Sequence, residues 1–494
     1  MRGSSNKRLP ILRLAILTVA ALFLHGYHLG VEDGEIYIPA AKKLLNPRLY
    51  PYTTEFFLSH GHLSLFSPIL FWTARLTHLS MDWTILVWYI ASLFGMGVSC
   101  WLLAAVCFES PRARWSAVLI VTAALTMPAT NTALLLMDPY LTARSLSTPL
   151  TMFALASLLE RKYKRAGAAM LLTAAIHPQM AAYLIFLAGV LWLAEFAGRK
   201  ARQPVRILAS AVGVLPSDFH FAPASGAYRE ALYSRDYYFL YNWAWYNWMG
   251  MLAPLAILAW FWKGNLRGTR PGFARLSFAM IPFGLLSIAV ALIFSSSHSL
   301  DMFARLQPLR TFHLITIVFV LLLGGVIGEY TANRYSWVVP AICLPLAAGM
   351  FFAAHETYPN SPQVEWPSAS SSNGWVRTLL WVRKNTPENA VFAVDSRYFL
   401  DAGVDLHGFR AISERSSLAD YYKDSGVVSL FPALADEWKQ MSNATYGLNH
   451  FQAQDFLRLK GEYPAVSWAV VHGPAPKGIY CPYQEQGYAV CRIL

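Results

Sequence analysis

Apolar stretches long enough to cross a lipid bilayer recur along most of this chain. A helix needs about 20 apolar residues to cross the hydrocarbon core, and a hydropathy window of about 19 residues detects such stretches. Here they predict an α-helical polytopic membrane protein with about eleven transmembrane helices. The predicted spans are residues 9–29, 83–107, 114–130, 144–160, 165–177, 179–196, 204–217, 246–262, 275–295, 309–328 and 336–354.

Composition and charge agree with a membrane protein. Hydrophobic residues make up 55% of the chain and charged residues 14%, far from a soluble average. The net charge of +12 comes from short Lys/Arg clusters between apolar runs, such as "ERKYKRA" and "KGNLRGTRPGFAR". Such clusters are typical of cytoplasmic loops beside anionic lipid, so the basic balance predicts no nucleic-acid partner.

The same clusters predict the orientation of the chain. All of them fall on one side if the N-terminus is cytoplasmic and the first apolar run is an uncleaved anchor, since no small-residue cleavage site follows it. The first external loop is then residues 30–82. Within it, the apolar segment 62–80 would invert every later loop if it crossed the membrane. It is therefore predicted to lie in the outer interface as an amphipathic helix.

The composition changes after residue 355. A Pro/Ser-rich linker over 356–374 precedes a predicted periplasmic α/β domain over 375–494, in which "AVFAVDS" and "VSWAVVHG" read as buried strands. Cys481 and Cys491 flank a polar hairpin there and are predicted to form a disulfide. The chain shows no phosphate-binding glycine loop and no nucleophile elbow. This argues against a nucleotide-driven pump.

Unusual polar residues converge on the outer side of this topology. Each has an ordinary explanation: a carboxylate at a helix exit is often a solvated boundary residue, a histidine before proline a turn residue, and an Asp-Pro pair a helix start. Outer arginines go against the positive-inside bias and need anionic partners. These partners are internal carboxylates or a lipid-linked phosphate, which guanidinium binds bidentately. The unusual polar residues on the outer side are Glu32, Asp33, Glu35, Asp138, Arg144, His177, His298, Asp301, Arg305 and Arg310.

Two short stretches resemble the start of the GT-C superfamily of polyprenyl-phosphate-sugar glycosyltransferases. They are "EDGEIYIPAAKKLLNPRLYPY" and the interfacial "SPILFWTARLTHL". The resemblance implies a GT-C-like fold in which an acidic pair, here Glu32-Asp33 followed by Gly34 and Tyr37, supplies the catalytic base or a metal ligand. Asp33 is favoured as the base with Glu32 beside it, and Asp138 looks like the second acidic position of the family.

The resemblance and the outer polar residues together predict a function. A carboxylate at the outer rim can accept a proton from an acceptor hydroxyl, while cations offset charge on a departing phosphate. The predicted protein is a bacterial inner-membrane glycosyltransferase with inverting GT-C chemistry. Its donor would be a sugar on a polyprenyl phosphate and its acceptor a glycan, lipid or protein. Residues predicted to bind substrate or phosphate are Arg144, His177, His298, Arg305, Arg310 and Tyr37.

Three points stay open at the level of sequence. No metal site is firmly predicted, although Asp33 and Asp138 could hold a divalent cation, Mg or Mn. A lipid or glycolipid transporter or flippase is an alternative, but it would favour polar or interrupted helices near mid-membrane. A catalytically inactive assembly protein is the other alternative, and it predicts that the carboxylates face solvent with no pocket behind them.

Overall fold

The computed structural model describes residues 9–197, 225–296, 298–331 and 335–493, and most of these residues are helical. A helix lies at ten of the eleven predicted spans, and the prediction at 204–217 falls outside the described residues. These ten helices are α1 (Ile11–His25), α5 (Met81–Cys107), α6 (Pro111–Ala123), α7 (Ala143–Leu159), α8 (Tyr163–Ile176), α9 (Pro178–Ala197), α11 (Trp245–Lys263), α12 (Pro271–Phe294), α14 (Thr311–Thr331) and α15 (Val338–Thr357).

Membrane character is concentrated in a subset of these helices. Within the described residues, four helical segments are long and apolar enough to cross a membrane: Met81–Cys107, Pro271–Phe294, His298–Thr331 and Val338–Thr357. The other helices at predicted spans are shorter or less apolar, so the count of about eleven spans remains a prediction. α14 packs against α6, and α5 packs against α7, which forms the centre of the helical body.

The first external loop is folded into short helices. It contains α2 (Gly34–Leu45), α3 (Glu55–Gly61) and α4 (Phe66–Thr77). In α4 the apolar residues at a spacing of four, Phe66, Leu70 and Ala74, are buried against the protein. Trp72 and Leu76 on the other side are exposed. A helix is therefore present within residues 62–80, and its location in the membrane interface stays a prediction.

The C-terminal region is an α/β domain around a five-stranded sheet of order β2-β1-β3-β5-β4. The three strands on one side are parallel and the other pairs are antiparallel. A disulfide joins Cys481, before β4, to Cys491 in β5. The strands are β1 (Val391–Val394), β2 (Ser416–Ser417), β3 (Val466–His472), β4 (Tyr483–Glu485) and β5 (Tyr488–Arg492).

Helices surround this sheet, and shorter helices connect it to the body. The domain helices are α16 (Gly374–Asn385), α17 (Phe409–Ser413), α18 (Lys423–Leu430), α19 (Ala435–Ala444) and α20 (Ala453–Glu462). Two connecting helices are α10 (Gly226–Tyr233) and α13 (Asp301–Ala304). The sequence predicts helices at 435–441 and 449–459, and α19 and α20 occupy these positions.

The segment predicted as a linker is firmly attached to the helical body. Backbone amides and carbonyls pair Tyr27 with Gln363 and Glu365 at 2.8–2.9 Å. The Glu365 carboxylate also bonds the Leu29 amide at 2.9 Å and His407 of the C-terminal domain at 2.8 Å. The domain is therefore held against the first external loop instead of being tethered by a free linker.

A buried ion cluster completes this junction, and it accounts for Glu35. Arg410 in α17 contacts Glu35 in α2 at 2.8 Å and Asp424 in α18 at 2.6 Å, and Asp420 lies at 3.3 Å. All four side chains are nearly inaccessible to solvent. We call these four residues the Arg410 cluster. Glu35, which the sequence places with the outer acidic group, thus binds the first loop to the C-terminal domain.

Candidate active site

A cavity of about 670 Å³ lies where the helical body, the first external loop and the C-terminal domain meet. This volume is in the range of small-molecule binding sites. Its wall combines the start of α2, the start of α7, the α8–α9 turn, the end of α12, the segment 305–311 and α18. Charged and polar wall residues are Asp33, Tyr37, His60, Arg144, His177, Arg235, Tyr237, Arg305, Arg310 and Lys423.

Positive charge dominates one half of the wall. Five cationic side chains line it, and Asp33 is the only carboxylate among the lining residues. Within the described parts of the chain, Arg235, Arg305 and Arg310 form no ion pair with a carboxylate. The Nε atoms of Arg235 and Arg310 are buried without a hydrogen-bond partner there. A buried cation that has no carboxylate or other anion beside it is costly. This half of the cavity therefore favours an anionic ligand.

The other half of the cavity is apolar. Its side chains come from the α8–α9 turn, α9, α12 and the residues that directly follow α13. Phe186 on α9 packs against Phe283 of α12, and Phe294 at the end of α12 stacks on Phe303. Apolar wall residues are Leu63, Ile176, Ala182, Phe186, Val290, Phe294 and Leu306. A ligand that fits both halves carries an anionic group and a hydrocarbon part.

Asp33 is held at the N-terminal end of α2. Glu32 before it adopts a positive φ of 51°, and the tight turn directs Asp33 toward the cavity. Its carboxylate lies 3.4 Å from Lys423 Nζ and 3.9 Å from Arg144 Nη2. Burial alone would raise the pKa of Asp33, but Lys423 and Arg144 together lower it well below its usual value. Asp33 is therefore ionised.

Asp138, predicted as a catalytic residue that positions the sugar or a divalent cation, is not among the residues that line the cavity. It forms a buried ion pair with Arg144 Nη2, and burial raises the pKa of Asp138. The pair fixes the position of Arg144 at the wall. Because Arg144 contacts both Asp33 and Asp138, it occupies the place where a divalent cation between these carboxylates would bind. The two carboxylates therefore do not fit the predicted metal site.

The other described side chains that could bind a metal ion also form no metal site. Across residues 9–197, 225–296, 298–331 and 335–493, no group of three or more His, Cys, Asp or Glu side chains is placed to hold a metal ion. The charge that a cation would supply at Asp33 comes from Arg144 and Lys423. We therefore derive no step through a metal.

Tyr37 and His177 line the cavity as predicted for substrate-binding residues. The Tyr37 hydroxyl lies 3.1 Å from Nε2 of His60, which the sequence did not single out. Burial and the nearby Arg144 lower the pKa of His177 to about 3, so its imidazole is neutral. Both residues offer uncharged hydrogen-bonding groups beside the cations. Their roles in substrate binding stay predictions.

The late external loop is only partly in the site. Arg305 and Arg310 lie on the cavity wall, and Arg310 Nη2 donates to the Tyr237 hydroxyl at 3.0 Å. His298 is different: 76% of its side chain is exposed, and its ring bonds Tyr233 outside the cavity. The prediction that His298 binds substrate is wrong in this structure, because the short helix before α13 directs it to the surface.

Glu32, predicted as a second base, is likewise not on the cavity wall. Its carboxylate pairs with Lys423 Nζ. Asp33 and Glu32 are neighbours in sequence but differ in their contacts. Asp33 faces the cavity, whereas Glu32 contacts Lys423. This distinction depends on the turn at Glu32, whose positive φ the sequence "VEDG" does not reveal.

Four charged or polar wall residues were missed by sequence reasoning: His60, Arg235, Tyr237 and Lys423. Arg235 and Tyr237 precede the aromatic stretch 239–248, which is predicted as an interfacial belt. Arg235 is an outer arginine, so the positive-inside bias could have identified it. Lys423 belongs to the C-terminal domain, 390 residues after Asp33. No local pattern could indicate that contact.

Comparisons with known proteins include a distant structural likeness. No protein-family model matches the chain, and no curated protein matches it in sequence. The crystal structure of ArnT from Cupriavidus metallidurans in the apo state is similar over 98% of this chain and 98% of that chain. The sequence identity is 13% and the TM-score is 0.41. These values are too low to decide the fold or the function of the present chain.

Proposed function

We propose that this protein is an integral-membrane glycosyltransferase that moves a sugar from a polyprenyl-phosphate carrier to an acceptor hydroxyl. The observation that carries the proposal is the composition of the cavity wall: five cations, one ionised carboxylate and an adjoining apolar half. A polyprenyl-phosphate sugar has a matching anionic group and hydrocarbon chain. Asp33 is the lone carboxylate, and it lies where the acceptor can meet the donor.

Arginines hold the donor phosphate in this proposal. Arg144 reaches the cavity from the start of α7, and Arg305 and Arg310 reach it from the segment 305–311. Each guanidinium can donate two parallel hydrogen bonds to phosphate oxygens. The prenyl chain lies along the apolar half between α9 and α12. Asp138 acts indirectly by holding Arg144 in place.

Asp33 acts as the general base for the acceptor. It takes the hydroxyl proton while the acceptor oxygen bonds to the anomeric carbon on the face opposite the phosphate. The bond between the anomeric carbon and the phosphate oxygen breaks, and polyprenyl phosphate leaves. A single displacement inverts the anomeric centre. The arginines offset the charge that develops on the leaving phosphate.

The predicted topology supports a location of this chemistry outside the cytoplasm. The cavity lies on the face that carries the first external loop and the C-terminal domain, and the basic segments 160–162 and 264–270 connect helices. We propose a bacterial inner membrane, a cytoplasmic N-terminus and a periplasmic C-terminal domain. The acceptor is a glycan, a lipid or a protein, and no nucleic acid takes part.

The test uses purified full-length protein in lipid nanodiscs with polyprenyl-phosphate-linked sugars. Slow hydrolysis of the donor, with water as acceptor, gives a readout that requires no known acceptor. We expect the wild-type protein to release sugar with an inverted anomeric centre and Asp33→Asn to release almost none. Equal rates in both would contradict the assignment of the base.

The alternatives give different outcomes in the same preparation. A flippase would consume no donor but would move the labelled lipid across the bilayer of a proteoliposome. An inactive assembly protein would do neither. The position of Asp33 on a cavity wall supports the enzyme, because an inactive assembly protein predicts carboxylates that face solvent with no pocket behind them.

A further inference from the structure

One wall of the cavity belongs to the C-terminal domain. Helix α18 packs against α2, α3 and α10, and it exposes Lys423, Gly426 and Val427 to the cavity. Arg235 of the helical body approaches the same helix and donates to Ser425 Oγ at 3.0 Å. The domain is therefore part of the site and not only a neighbour of it.

Lys423 is the only cation of the cavity wall that comes from this domain. Its Nζ contacts Glu32 and lies 3.4 Å from Asp33. Only 12% of its side chain is exposed. Its backbone is fixed from behind, because its amide donates to Asp420, a member of the Arg410 cluster. The backbone of Lys423 is thus fixed by the Arg410 cluster, while its flexible side chain ends at the cavity.

This geometry creates a conflict for the proposed base. An efficient general base has a pKa near the working pH, whereas Lys423 and Arg144 lower the pKa of Asp33 far below that range. An anion that enters the cavity competes for these same two cations. If Lys423 turns to the anion, Asp33 loses its closest positive partner and becomes a stronger base.

We propose that Lys423 exchanges partners during the reaction: it pairs with Glu32 and Asp33 in the empty cavity and donates to the donor phosphate in the loaded cavity. Lys423 is then a substrate-binding residue supplied by the C-terminal domain, and binding of the lipid phosphate activates the base. This rests on the proposed function, because the ligand is its donor phosphate.

The groups that face Asp33 come from every element packed around it. Lys423 differs because its long side chain can reach both the carboxylates and the cavity. The facing groups are Glu32, Tyr37, His60, Asp138, Arg144, His177, Arg235, Tyr237, Arg310 and Lys423.

The experiment measures binding and turnover separately. Wild-type protein, Lys423→Met, Lys423→Arg and the control Lys439→Met are placed in nanodiscs; Lys439 pairs with Glu230 away from the cavity. Binding of sugar-free undecaprenyl phosphate and of inorganic phosphate is measured, together with donor hydrolysis against pH. Melting temperatures confirm that each variant is folded.

We expect Lys423→Met to weaken lipid-phosphate binding at least about tenfold, and Lys423→Arg and Lys439→Met to stay within about threefold of wild type. Because Lys423→Met removes a positive partner, it raises the pKa of Asp33. The acid limb measured at low donor concentration, which reports the empty cavity, therefore moves to higher pH by about one unit. At saturating donor the acid limb stays where it is in wild type, because Lys423 has already left Asp33; a permanent Lys423–Asp33 ion pair would shift both. Inorganic phosphate should bind more weakly than the lipid.

The outcomes separate this inference from the proposed function. If wild-type protein binds the lipid phosphate and Lys423→Met binds it equally well with the same acid limb, the partner exchange is wrong and the glycosyltransferase proposal stands. If wild-type protein binds no lipid phosphate, the proposed function fails and the ligand assigned to Lys423 fails with it. Folded Lys423→Arg that loses binding would also contradict the exchange.

Discussion

Two ionic clusters lie side by side where the first external loop meets the C-terminal domain, and they have opposite compositions. The Arg410 cluster holds one guanidinium among three carboxylates. The cavity wall holds five cations and one carboxylate. Both use residues of the first external loop and the C-terminal domain: Asp33 immediately precedes α2, and Glu35 lies in its first turn. The Arg410 cluster and the cavity wall differ in what offsets their excess charge.

The Arg410 cluster is closed and compensates internally. Burial and the neighbouring Asp424 raise the pKa of Asp420 to about 7, so a proton offsets the excess of carboxylates. The cavity is large enough for a ligand, and an arginine cannot release its proton at physiological pH. The excess of cations there can be offset only by an anion from outside. One cluster therefore holds the domains together, and the other binds substrate.

The sharpest way to separate the two clusters is to remove Asp33. We expect Asp33→Asn to reduce donor turnover about 10²- to 10⁴-fold, the usual contribution of a general base. Its side chain is 34% exposed, so the melting temperature should change little. Glu32→Gln is the matched control and should lose less than about tenfold. A large loss of stability in Asp33→Asn would place it with the Arg410 cluster.

Removing Arg410 should have the opposite profile. Arg410→Met leaves three carboxylates buried without their cation, and breaking such a network costs about 3–5 kcal/mol. We expect a marked fall in melting temperature. Arg397→Met is the control in the same domain, because Arg397 stacks between Tyr421 and Tyr446 at 4.7 and 4.8 Å without a buried ion pair. Similar melting temperatures for both variants would show that the Arg410 cluster does not hold the junction.

Replacing a cation of the cavity should affect binding more than stability. Arg310→Gln removes a guanidinium that donates to the Tyr237 hydroxyl and, within the described residues, pairs with no carboxylate. We expect binding of polyprenyl phosphate to weaken about 10- to 100-fold, in line with about 1.5–3 kcal/mol for a charged hydrogen bond. Arg75→Gln, on the exposed side of α4, serves as control. Unchanged binding would remove Arg310 from the phosphate site.

The smallest effect concerns pH and the Arg410 cluster. Because the pKa of Asp420 is raised to about 7 in the folded protein, its contribution to stability is fully present below about pH 4 and is lost as the pH rises through about 7. We expect wild-type protein to lose melting temperature between about pH 5 and about pH 8. Asp420→Asn should flatten this change, and an equal change in both would contradict the raised pKa.

The helical body was largely predictable because its signal is local. Apolar runs of membrane length and Lys/Arg clusters identify helices without knowledge of their neighbours. The strands at "AVFAVDS" and "VSWAVVHG" and the Cys481–Cys491 pair also follow from short-range patterns. Arg305 and Arg310 could be selected because arginines on the outer side contradict the charge bias. Their common cavity then follows from the fold.

The errors in the site come from contacts and turns that sequence does not encode locally. Glu32, Asp33 and Glu35 form one acidic group in the sequence, yet each has a different environment in the structure. A positive φ at Glu32 and the helical turn after it direct the three carboxylates to Lys423, the cavity and Arg410. Likewise, His298 shares a loop with Arg305 but faces the surface.

The sequence alone determined that this chain forms apolar helices, a basic and an acidic side, and a C-terminal α/β domain, because burial of hydrocarbon and the cost of unpaired charge act on neighbouring residues. Only the tertiary structure decided which charges share a low-dielectric space. That pairing joins Lys423 to Asp33 across 390 residues, and an ion pair depends on distance in space and not on separation along the chain.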